Sequence, residues 1–140
     1  MRPPDLIIGP RDNPQTLRWH LFRWRGWQLA LHRWLRSDDD RALHDHSADN
    51  VSVLLTGRYI EFIEYRRRVR WPLIPYFRKA ETPHRIALMT GPVWSLWLRW
   101  PPRREWGFWC PRGWRHWRDY VAERDYSKPG SVSSVGPGCG

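Results

Sequence analysis

Cysteine and long apolar runs are both scarce in this sequence of 140 residues. Its two cysteines, Cys110 and Cys139, lie far apart, and the second stands in a Gly-rich tail. We therefore expect no disulfide framework, and we expect a reducing, cytoplasmic compartment. No apolar run approaches the length of about eighteen residues that a membrane-spanning helix needs, and no charged-then-apolar leader opens the chain. We expect neither a membrane span nor a secretory signal.

Several catalytic signatures are also absent. The sequence contains no P-loop, no Rossmann glycine pattern and no nucleophile elbow. It lacks the cysteines of a structural zinc finger and the His-x-Glu and Pro-Cys-x-x-Cys pattern of cytidine deaminases. These absences leave the histidines as the residues most suited to carry chemistry.

Lysine is nearly absent too, occurring only at Lys79 and Lys128, so that arginine supplies most of the net charge of +10. Arginines and twelve tryptophans could bind nucleic acid through phosphate contacts and base stacking. The arginines are spread along the chain rather than gathered into one tract, and GC-rich codons alone favour Arg, Trp and Pro. A non-enzymatic protein that uses a basic, aromatic surface for nucleic acid or a protein partner is our second hypothesis. A homodimer is a further expected partnership.

The length suits one domain with a real core. We expect an N-terminal arm at residues 1–16, a barrel at 17–125 and a disordered tail at 126–140. Roughly eight short alternating runs, separated by turn signals, indicate an all-β sandwich or barrel.

Apolar alternation sets the predicted strands. Arg25-Gly26 separates two such runs and predicts a hairpin. The basic run Arg66–Arg70 is predicted to be an exposed loop. Trp114, Trp117 and Val121 have helical spacing and predict one amphipathic helix that ends near Arg124. In chain order, the predicted strands are 17–24, 27–35, 51–56, 58–65, 73–77, 84–89, 93–100 and 105–110.

Two histidines one residue apart, His44 and His46, stand just before the predicted strand at 51–56. Residues i and i+2 of an extended chain face the same side, so both imidazoles can aim at one point. Neutral imidazole is the commonest protein ligand for a transition metal. His84, in the sequence TPHRIAL, is the best candidate for a third ligand. The alternative is that these histidines are hydrogen-bonded core residues of a protein that has lost its metal.

This arrangement resembles the first motif of the cupins, in which a Gly precedes His-x-His and a Glu and a second Gly follow at fixed spacing. Gly57 stands where the closing Gly is expected, while Asp38 and Asn50 replace the first Gly and the Glu. The second cupin motif has one His near a turn, and Thr82-Pro83-His84 is similar to it.

The resemblance extends further along the chain. Lys79, Glu81 and Leu88 stand where the second motif has Pro, Gly and Asn. From about Leu17 to Trp117 the chain is similar to small cupin-like proteins of bacteria and phages. The similar segments are HRWLRSDDDRALHDH, GRYIE, PHRI and REWGFW.

The resemblance implies a double-stranded β-helix, the cupin-like jelly-roll barrel, here with one short C-terminal helix. It also implies one divalent metal held by His44, His46 and His84. Fe(II) suits three such ligands, and Zn, Mn or Ni are alternatives. Cupins include dioxygenases, sugar-phosphate isomerases, decarboxylases and metal-dependent sensors. Our first hypothesis is an Fe(II)-type oxygenase or related enzyme that acts on a small anionic or polar substrate.

Three further residues, Glu61, Arg41 and Arg85, are candidate catalytic groups. If Glu61 faces inward, it is a buried carboxylate that needs a metal or an arginine, and if it faces outward it is a surface acid. Both faces of its strand are apolar, so the pattern leaves both alternatives open. Arg41 and Arg85 flank the proposed ligands and could clamp an anionic substrate, or pair with Asp45 or Asp49. The apolar walls of such a site would come from Trp94, Trp97 or Trp106.

Overall fold

The computed structural model describes residues 1–38, 42–121, 131–132 and 138–139. This part of the chain contains thirteen strands and one short helix, α1, at Trp117–Tyr120. The strands are β1 (Leu6–Ile8), β2 (Thr16–Trp24), β3 (Trp27–Trp34), β4 (Leu43–His44), β5 (Asn50–Thr56), β6 (Tyr59–Ile63), β7 (Arg66–Arg70), β8 (Tyr76–Arg78), β9 (His84–Leu88), β10 (Val93–Arg99), β11 (Gly107–Cys110), β12 (Gly113–His116) and β13 (Ser131–Val132). No helix in these described ranges has the length and apolar character needed to cross a membrane.

The strands form two sheets in which the spatial order differs from the order along the chain. The large sheet has the order β13-β1-β2-β3-β10-β5-β8, and the small sheet has the order β12-β11-β4-β9-β6-β7. Strand β10 thus lies between β3 and β5, and β4 lies between β11 and β9. Such crossing connections are those of a jelly roll, and they bring residues that are remote in sequence side by side. The predicted all-β class is confirmed.

The inward faces of the two sheets meet in the core. Leu54, Tyr59, Tyr76, Ile86 and Val93 form its apolar cluster, with contributions from both sheets. Buried and less buried positions alternate along β5 and β10, as a pleated strand with one inward face requires. The interior also holds buried polar side chains, namely Gln28, His32, Asn50, Ser52, Glu61, Arg78, His84 and Ser95. This polar part of the interior contains the candidate site.

The predicted hairpin is confirmed. Strands β2 and β3 pair antiparallel, and Arg25 and Gly26 connect them with φ angles of 45° and 85°. Two positive φ angles in a two-residue loop match the twist of the flanking strands. The predicted strands at 51–56, 84–89 and 93–100 correspond to β5, β9 and β10, with ends that differ by about one residue.

The expected N-terminal arm is partly wrong, because Leu6–Ile8 forms strand β1 of the large sheet. Strand β1 pairs antiparallel with β2, in the register Ile7 opposite Leu17. Three residues between prolines are too few to give an alternating signal, so the strand is defined by its partner rather than by its own sequence.

The expected disordered tail also contains ordered segments. Ser131–Val132 pairs parallel with β1, and Cys139 forms a disulfide with Cys110, with Cα atoms 5.6 Å apart. The expectation that the two cysteines stay unpaired is therefore wrong. The chain returns to the barrel after the helix and brings a cysteine that is remote in sequence to the end of β11. Residues 126–130, 133–137 and 140 of the predicted tail lie outside the described residues.

The basic run Arg66–Arg70, which was expected to be a loop, is the edge strand β7. It pairs along its whole length with β6. An edge strand leaves its outer side to solvent, and charged side chains suit that position. The predicted strand at 73–77 is displaced to Tyr76–Arg78, just after Pro75, whose missing N–H cannot join the ladder.

The predicted helix from Trp114 is largely wrong. Trp114 lies in strand β12 and is directly opposite Trp109 of β11. Only Trp117–Tyr120 is helical, and Val121 is already extended. The spacing of the tryptophans imitates a helix because Trp114 belongs to a hairpin and Trp117 to the helical turn that follows it. Residues 122–124 lie outside the described residues.

Candidate metal centre

Three histidines converge on one face of the small sheet. His44 ends β4, His84 begins β9, and the two residues are directly opposite each other in the antiparallel pair. His46 lies two residues beyond His44. The ring centroid of His44 is 4.6 Å from that of His84 and 5.2 Å from that of His46. One ligand atom from each of the three residues lies within 4.8 Å of the others.

The protonation of this cluster favours metal binding. The pKa values of His46 and His84 are well below the ordinary value, chiefly because both rings are buried. The positive charge of Arg78 and the neighbouring histidines lower them further. Both rings are therefore neutral at physiological pH, and a neutral imidazole has a nitrogen lone pair to give to a cation.

The spacing of the nitrogen atoms fits an ion as well. His46 Nε2 and His84 Nε2 are 2.7 Å apart, so the two rings share a hydrogen bond in this structure, as the alternative of a hydrogen-bonded core expects. Adjacent ligands at the usual metal–nitrogen distance of about 2.1 Å lie about 3 Å from each other. The donor set consists of imidazole nitrogens alone, and such sets suit Fe, Zn, Ni and Cu. The three residues could hold one transition-metal ion.

Glu61 lies at the centre of a buried ionic network and faces inward, which settles the alternatives that the sequence left open. Its side chain is 0 % exposed. It accepts hydrogen bonds from Arg70 Nε at 2.6 Å and from Arg78 Nε at 2.7 Å. Burial alone would raise the pKa of Glu61, but contact with His84 and the charges of Arg78 and Arg70 outweigh it and hold the pKa well below its usual range. Glu61 is an ionised carboxylate.

Glu61 also lies behind His84 rather than among the metal-ligating atoms. Its Oε1 is 2.8 Å from His84 Nδ1, although the ring is not turned for a well-directed hydrogen bond. A carboxylate beside one ring nitrogen fixes which nitrogen carries the proton and leaves the other for the ion. Here the other nitrogen is Nε2, the atom that faces His46.

Asn50 stands where the first cupin motif has its Glu, and it is engaged with the same network. It is 0 % exposed, and its Oδ1 accepts a hydrogen bond from Arg78 Nη1 at 3.0 Å. Arg78 thus bridges Asn50 and Glu61 on opposite sheets. The network ties the strand that follows the His-x-His motif to the strand that holds His84.

Asp45, between the two histidines, has a structural role beyond the predicted ion pair with an arginine. It is 0 % exposed and accepts hydrogen bonds from Gly107 N at 2.8 Å and from Trp114 Nε1 at 3.0 Å. Trp109 Nε1 and Arg104 also donate to it. The sequence pattern could have indicated this role, because side chains alternate along an extended chain and a residue between two inward histidines must face the other way.

The remaining predicted site residues are placed differently. The prediction that Arg85 lies at the site is wrong. Arg85 follows His84 on the opposite face of β9, and its guanidinium carbon lies 4.5 Å from the ring centroid of Phe62. Alternation along the strand directs it away from the histidines. Arg41 lies outside the described residues.

The three candidate tryptophans are in three different environments. Trp97 is on the inward face of β10 and is 9 % exposed. Trp106 packs on Phe108, whose ring centroid is 5.9 Å from that of His44. The prediction that Trp94 lines the site is wrong, because Trp94 lies on the outer face of the large sheet and stacks on Trp19. That Trp97 and, through Phe108, Trp106 form walls of the site stays a prediction.

Comparison with solved structures identifies the fold. A mannose-6-phosphate isomerase-like protein from Ralstonia eutropha JMP134 matches with a TM-score of 0.58 and 18% identity, over 66% of this chain and 90% of that one. A Cupin_2 domain of an XRE family transcriptional regulator from Enterobacter cloacae matches with a TM-score of 0.52 and 18% identity, over 64% of this chain and 99% of that one. Fe(II)-HppE with the alternative substrate (S)-1-HPP matches with a TM-score of 0.55 and 13% identity, over 65% of this chain and 52% of that one.

These likenesses show that the chain has the cupin fold. No protein-family model and no curated protein matches it. The chain spans about half the length of two of the similar structures, 52% of HppE and 46% of a DMSP lyase. All these identities are below 20%, so the likeness defines the architecture, and the chemistry is argued from the residues of this chain.

Proposed function

We propose that this protein binds one divalent transition metal through His44, His46 and His84 and is a metal-dependent enzyme acting on a small molecule. The observation that carries the proposal is the meeting of three imidazoles from two strands and the segment after β4, with two Nε2 atoms 2.7 Å apart. An Fe(II)-type oxygenase is the reaction class we propose. It is supported by the all-imidazole donor set and by the similarity in fold to Fe(II)-HppE.

Three protein ligands leave coordination positions open on an octahedral ion, and a bound Fe(II) would supply sites there for dioxygen and for a substrate. The residues of the chain prepare this site in separate ways. Glu61 directs Nε2 of His84 toward the other histidines, and Asp45 holds the segment between His44 and His46 against β11 and β12. Trp97 covers the inward face of the opposite sheet with an apolar ring that excludes water.

Metal analysis of freshly purified protein tests the proposal. We expect about one ion per chain after growth with iron, zinc, manganese or nickel, and loss of that ion in the His44→Ala/His46→Ala variant. His116→Ala is the matched control, since His116 lies away from the cluster and pairs with the exposed Glu105. Substoichiometric metal in the unaltered protein under every supplementation would count against an enzyme of this type. Oxygen uptake by the iron-loaded protein with small organic acids separates an oxygenase from an isomerase.

A second candidate function is binding without turnover, through a basic, aromatic surface. Two exposed tryptophans that lie beside arginines favour it: the guanidinium of Arg25 lies 4.9 Å from the ring of Trp24, and that of Arg58 lies 4.8 Å from the ring of Trp71. The similarity in fold to a domain of a transcriptional regulator also supports a role in binding. Retention on heparin that survives moderate salt would favour polyanion binding, and loss near physiological salt would indicate nonspecific charge.

A cytoplasmic location remains a proposal, and the Cys110–Cys139 disulfide weighs against it because disulfides are rare in reducing compartments. Alkylation of acid-quenched cells, followed by mass spectrometry, reads the thiol state directly. Free thiols would support the cytoplasm, and a blocked pair would support an oxidising compartment.

A further inference from the structure

A basic strip, residues 65–71, follows the outer edge of the small sheet. Within the described residues β7 is the last strand in the order of that sheet, and it pairs with β6 on one side. Four of its five residues are arginines, and Arg66, Arg67 and Arg68 are exposed. Charge protects an edge strand from pairing with other chains, but charges of either sign serve that purpose. Protection of the edge therefore does not explain a run of one sign.

The exposed arginines of the basic strip lack counter-charges. None of the ion pairs among the described residues includes residues 66–68. Glu61 lies opposite Arg68 in the ladder, but it pairs instead with Arg70 and with an arginine of the other sheet. Adjacent charges of one sign repel each other. A bound polyanion would relieve this repulsion, and it would fit the strip better than a cation or a neutral partner.

Two of these arginines share a pocket at the β6–β7 turn. The pocket has a volume of about 280 Å³ and is lined by Ile63, Glu64, Tyr65, Arg66, Arg68 and Arg70. Arg66 and Arg68 are two residues apart on an extended strand, so their side chains lie on the same face. Glu64 is the one carboxylate among the lining residues. Two guanidinium groups on one face can contact the same phosphate group or two successive ones.

Exposed aromatic rings stand at both ends of the basic strip. Tyr65, at the β6–β7 turn, is fully exposed, and Trp71, directly after β7, is half exposed. The guanidinium carbon of Arg58 lies 4.8 Å from the ring centroid of Trp71. The extended chain from Tyr65 to Trp71 spans about 20 Å. Nucleic-acid bases stack on exposed rings of this kind, whereas an acidic peptide has no comparable use for them.

We propose that the basic strip binds single-stranded nucleic acid, with its arginines on the phosphate groups and with Tyr65 and Trp71 as stacking platforms for bases. A single strand is indicated because the bases of a duplex are already stacked on one another. This inference rests on the second candidate function, polyanion binding by a basic, aromatic surface, and it assigns that binding to one edge of the small sheet.

Fluorescence anisotropy with the full chain and a labelled oligothymidylate of about twelve nucleotides tests the proposal, since single-strand sites cover about 4–16 nucleotides. We expect Arg66→Gln/Arg68→Gln to bind at least about tenfold more weakly. The slope of log affinity against log salt concentration should fall by about 1.4, because each phosphate contact to a single strand contributes about 0.7.

Tyr65→Ser removes a ring and leaves the charge of the strip unchanged. It should weaken oligothymidylate binding by about fivefold or more, the usual cost of losing one stacked base, and leave the salt slope unchanged. The fully exposed side chain of Tyr65 makes this variant a safe second test if Arg66→Gln/Arg68→Gln does not fold.

Arg112→Gln/Arg118→Gln is the matched control. It removes the same charge from exposed positions beside β12, at the opposite edge of the small sheet. We expect oligothymidylate affinity within about twofold of that of the unaltered protein and an unchanged salt slope, because no phosphate contact is lost. Polyglutamate, which has charge but no bases, should displace the oligonucleotide only at a charge concentration about tenfold higher or more.

Two outcomes would overturn the inference: equal losses of affinity in the two double variants, or displacement by polyglutamate at the same charge concentration as by unlabelled oligothymidylate. Failure of the second candidate function looks different, since the unaltered protein then binds neither heparin nor oligothymidylate at physiological salt. Firm retention on heparin with unchanged oligothymidylate binding in Arg66→Gln/Arg68→Gln would leave polyanion binding intact and reject this strip as its location.

Discussion

His84 and Glu61 form a buried pair in which the carboxylate stands 2.8 Å behind Nδ1 of the imidazole, on the side away from His46. The pair joins the candidate site to the ionic network that holds the two sheets together. We therefore expect stability and the proposed metal affinity to be coupled through one carboxylate.

The first prediction concerns that carboxylate. Glu61→Gln leaves the buried charges of Arg78 and Arg70 without their counter-charge, and it should lower the free energy of unfolding by about 3 kcal/mol. It should also weaken metal binding by about tenfold or more, because the orientation of His84 is lost. Urea denaturation and competitive metal titration measure the two effects. Glu64→Gln, at an exposed turn position, is the control and should change neither.

The second prediction concerns Asp45. Asp45→Asn keeps one acceptor oxygen, which can still accept from Gly107 N, and puts an NH2 group where Oδ2 was, so the indole N–H groups of Trp109 and Trp114 lose their partner. We expect a loss of about 2 kcal/mol or more in the free energy of unfolding. Metal affinity should also fall, because the β11–β12 hairpin no longer holds the segment between the histidines.

The control for this variant is Asp119→Asn, in the short helix, where the side chain is exposed. Thermal melting with and without metal compares the two variants. Equal melting of Asp45→Asn and the unaltered protein would show that the indoles do not depend on this carboxylate.

The third prediction concerns pH and His32. His32 is 4% exposed and accepts from Arg18, and its pKa lies well below 6.5 because of burial first and then the charges of Arg18 and His20. Below pH 6.5 the unfolded chain takes up a proton at this residue and the folded chain does not, so the folded state loses stability as the pH falls. The contribution approaches about 1.4 kcal/mol per pH unit.

Urea denaturation with a chelator, from about pH 7 to about pH 5, measures this effect. His32→Gln keeps an acceptor for Arg18 and removes the titrating group, so stability should fall less steeply with decreasing pH. Parallel curves for the two proteins would contradict the assignment, since the other histidines are common to both.

The fourth prediction concerns the disulfide. Cys110 and Cys139 are 29 residues apart in sequence, and a cross-link of that span stabilises a fold by about 3–4 kcal/mol in the chain-entropy description. Reduction with dithiothreitol should lower the unfolding midpoint, and the Cys110→Ser/Cys139→Ser variant should match the reduced protein without responding to reductant. An unaltered midpoint on reduction would indicate that the tail adds nothing to the stability of the barrel.

The sequence predicts the central strands and the His-x-His face well, because both depend on local alternation. The meeting of His44 with His84 could be expected only through the resemblance to cupins, since a cross-strand pair depends on the order of strands in the sheet. The inward direction of Glu61 was not decidable, because Ile60 and Phe62 make the other face of β6 equally apolar. It is decided by Arg78, which arrives from the other sheet.

The elements that the sequence failed to predict have a common physical origin. Strands β1 and β7 and the segment at β13 are stabilised by a partner strand and carry little apolar pattern of their own. The disulfide likewise depends on where the chain returns after the helix. Such features follow from tertiary proximity, which a single sequence does not display.

One carboxylate, that of Glu61, faces two arginines in the interior, and the histidines beside it are neutral. A divalent ion held by the histidines would therefore leave this group of described residues, Glu61, Arg70, Arg78 and the histidines, with a net positive charge. A counter-ion would have to accompany the ion, so under the proposed function we expect these surroundings to favour acids over amines.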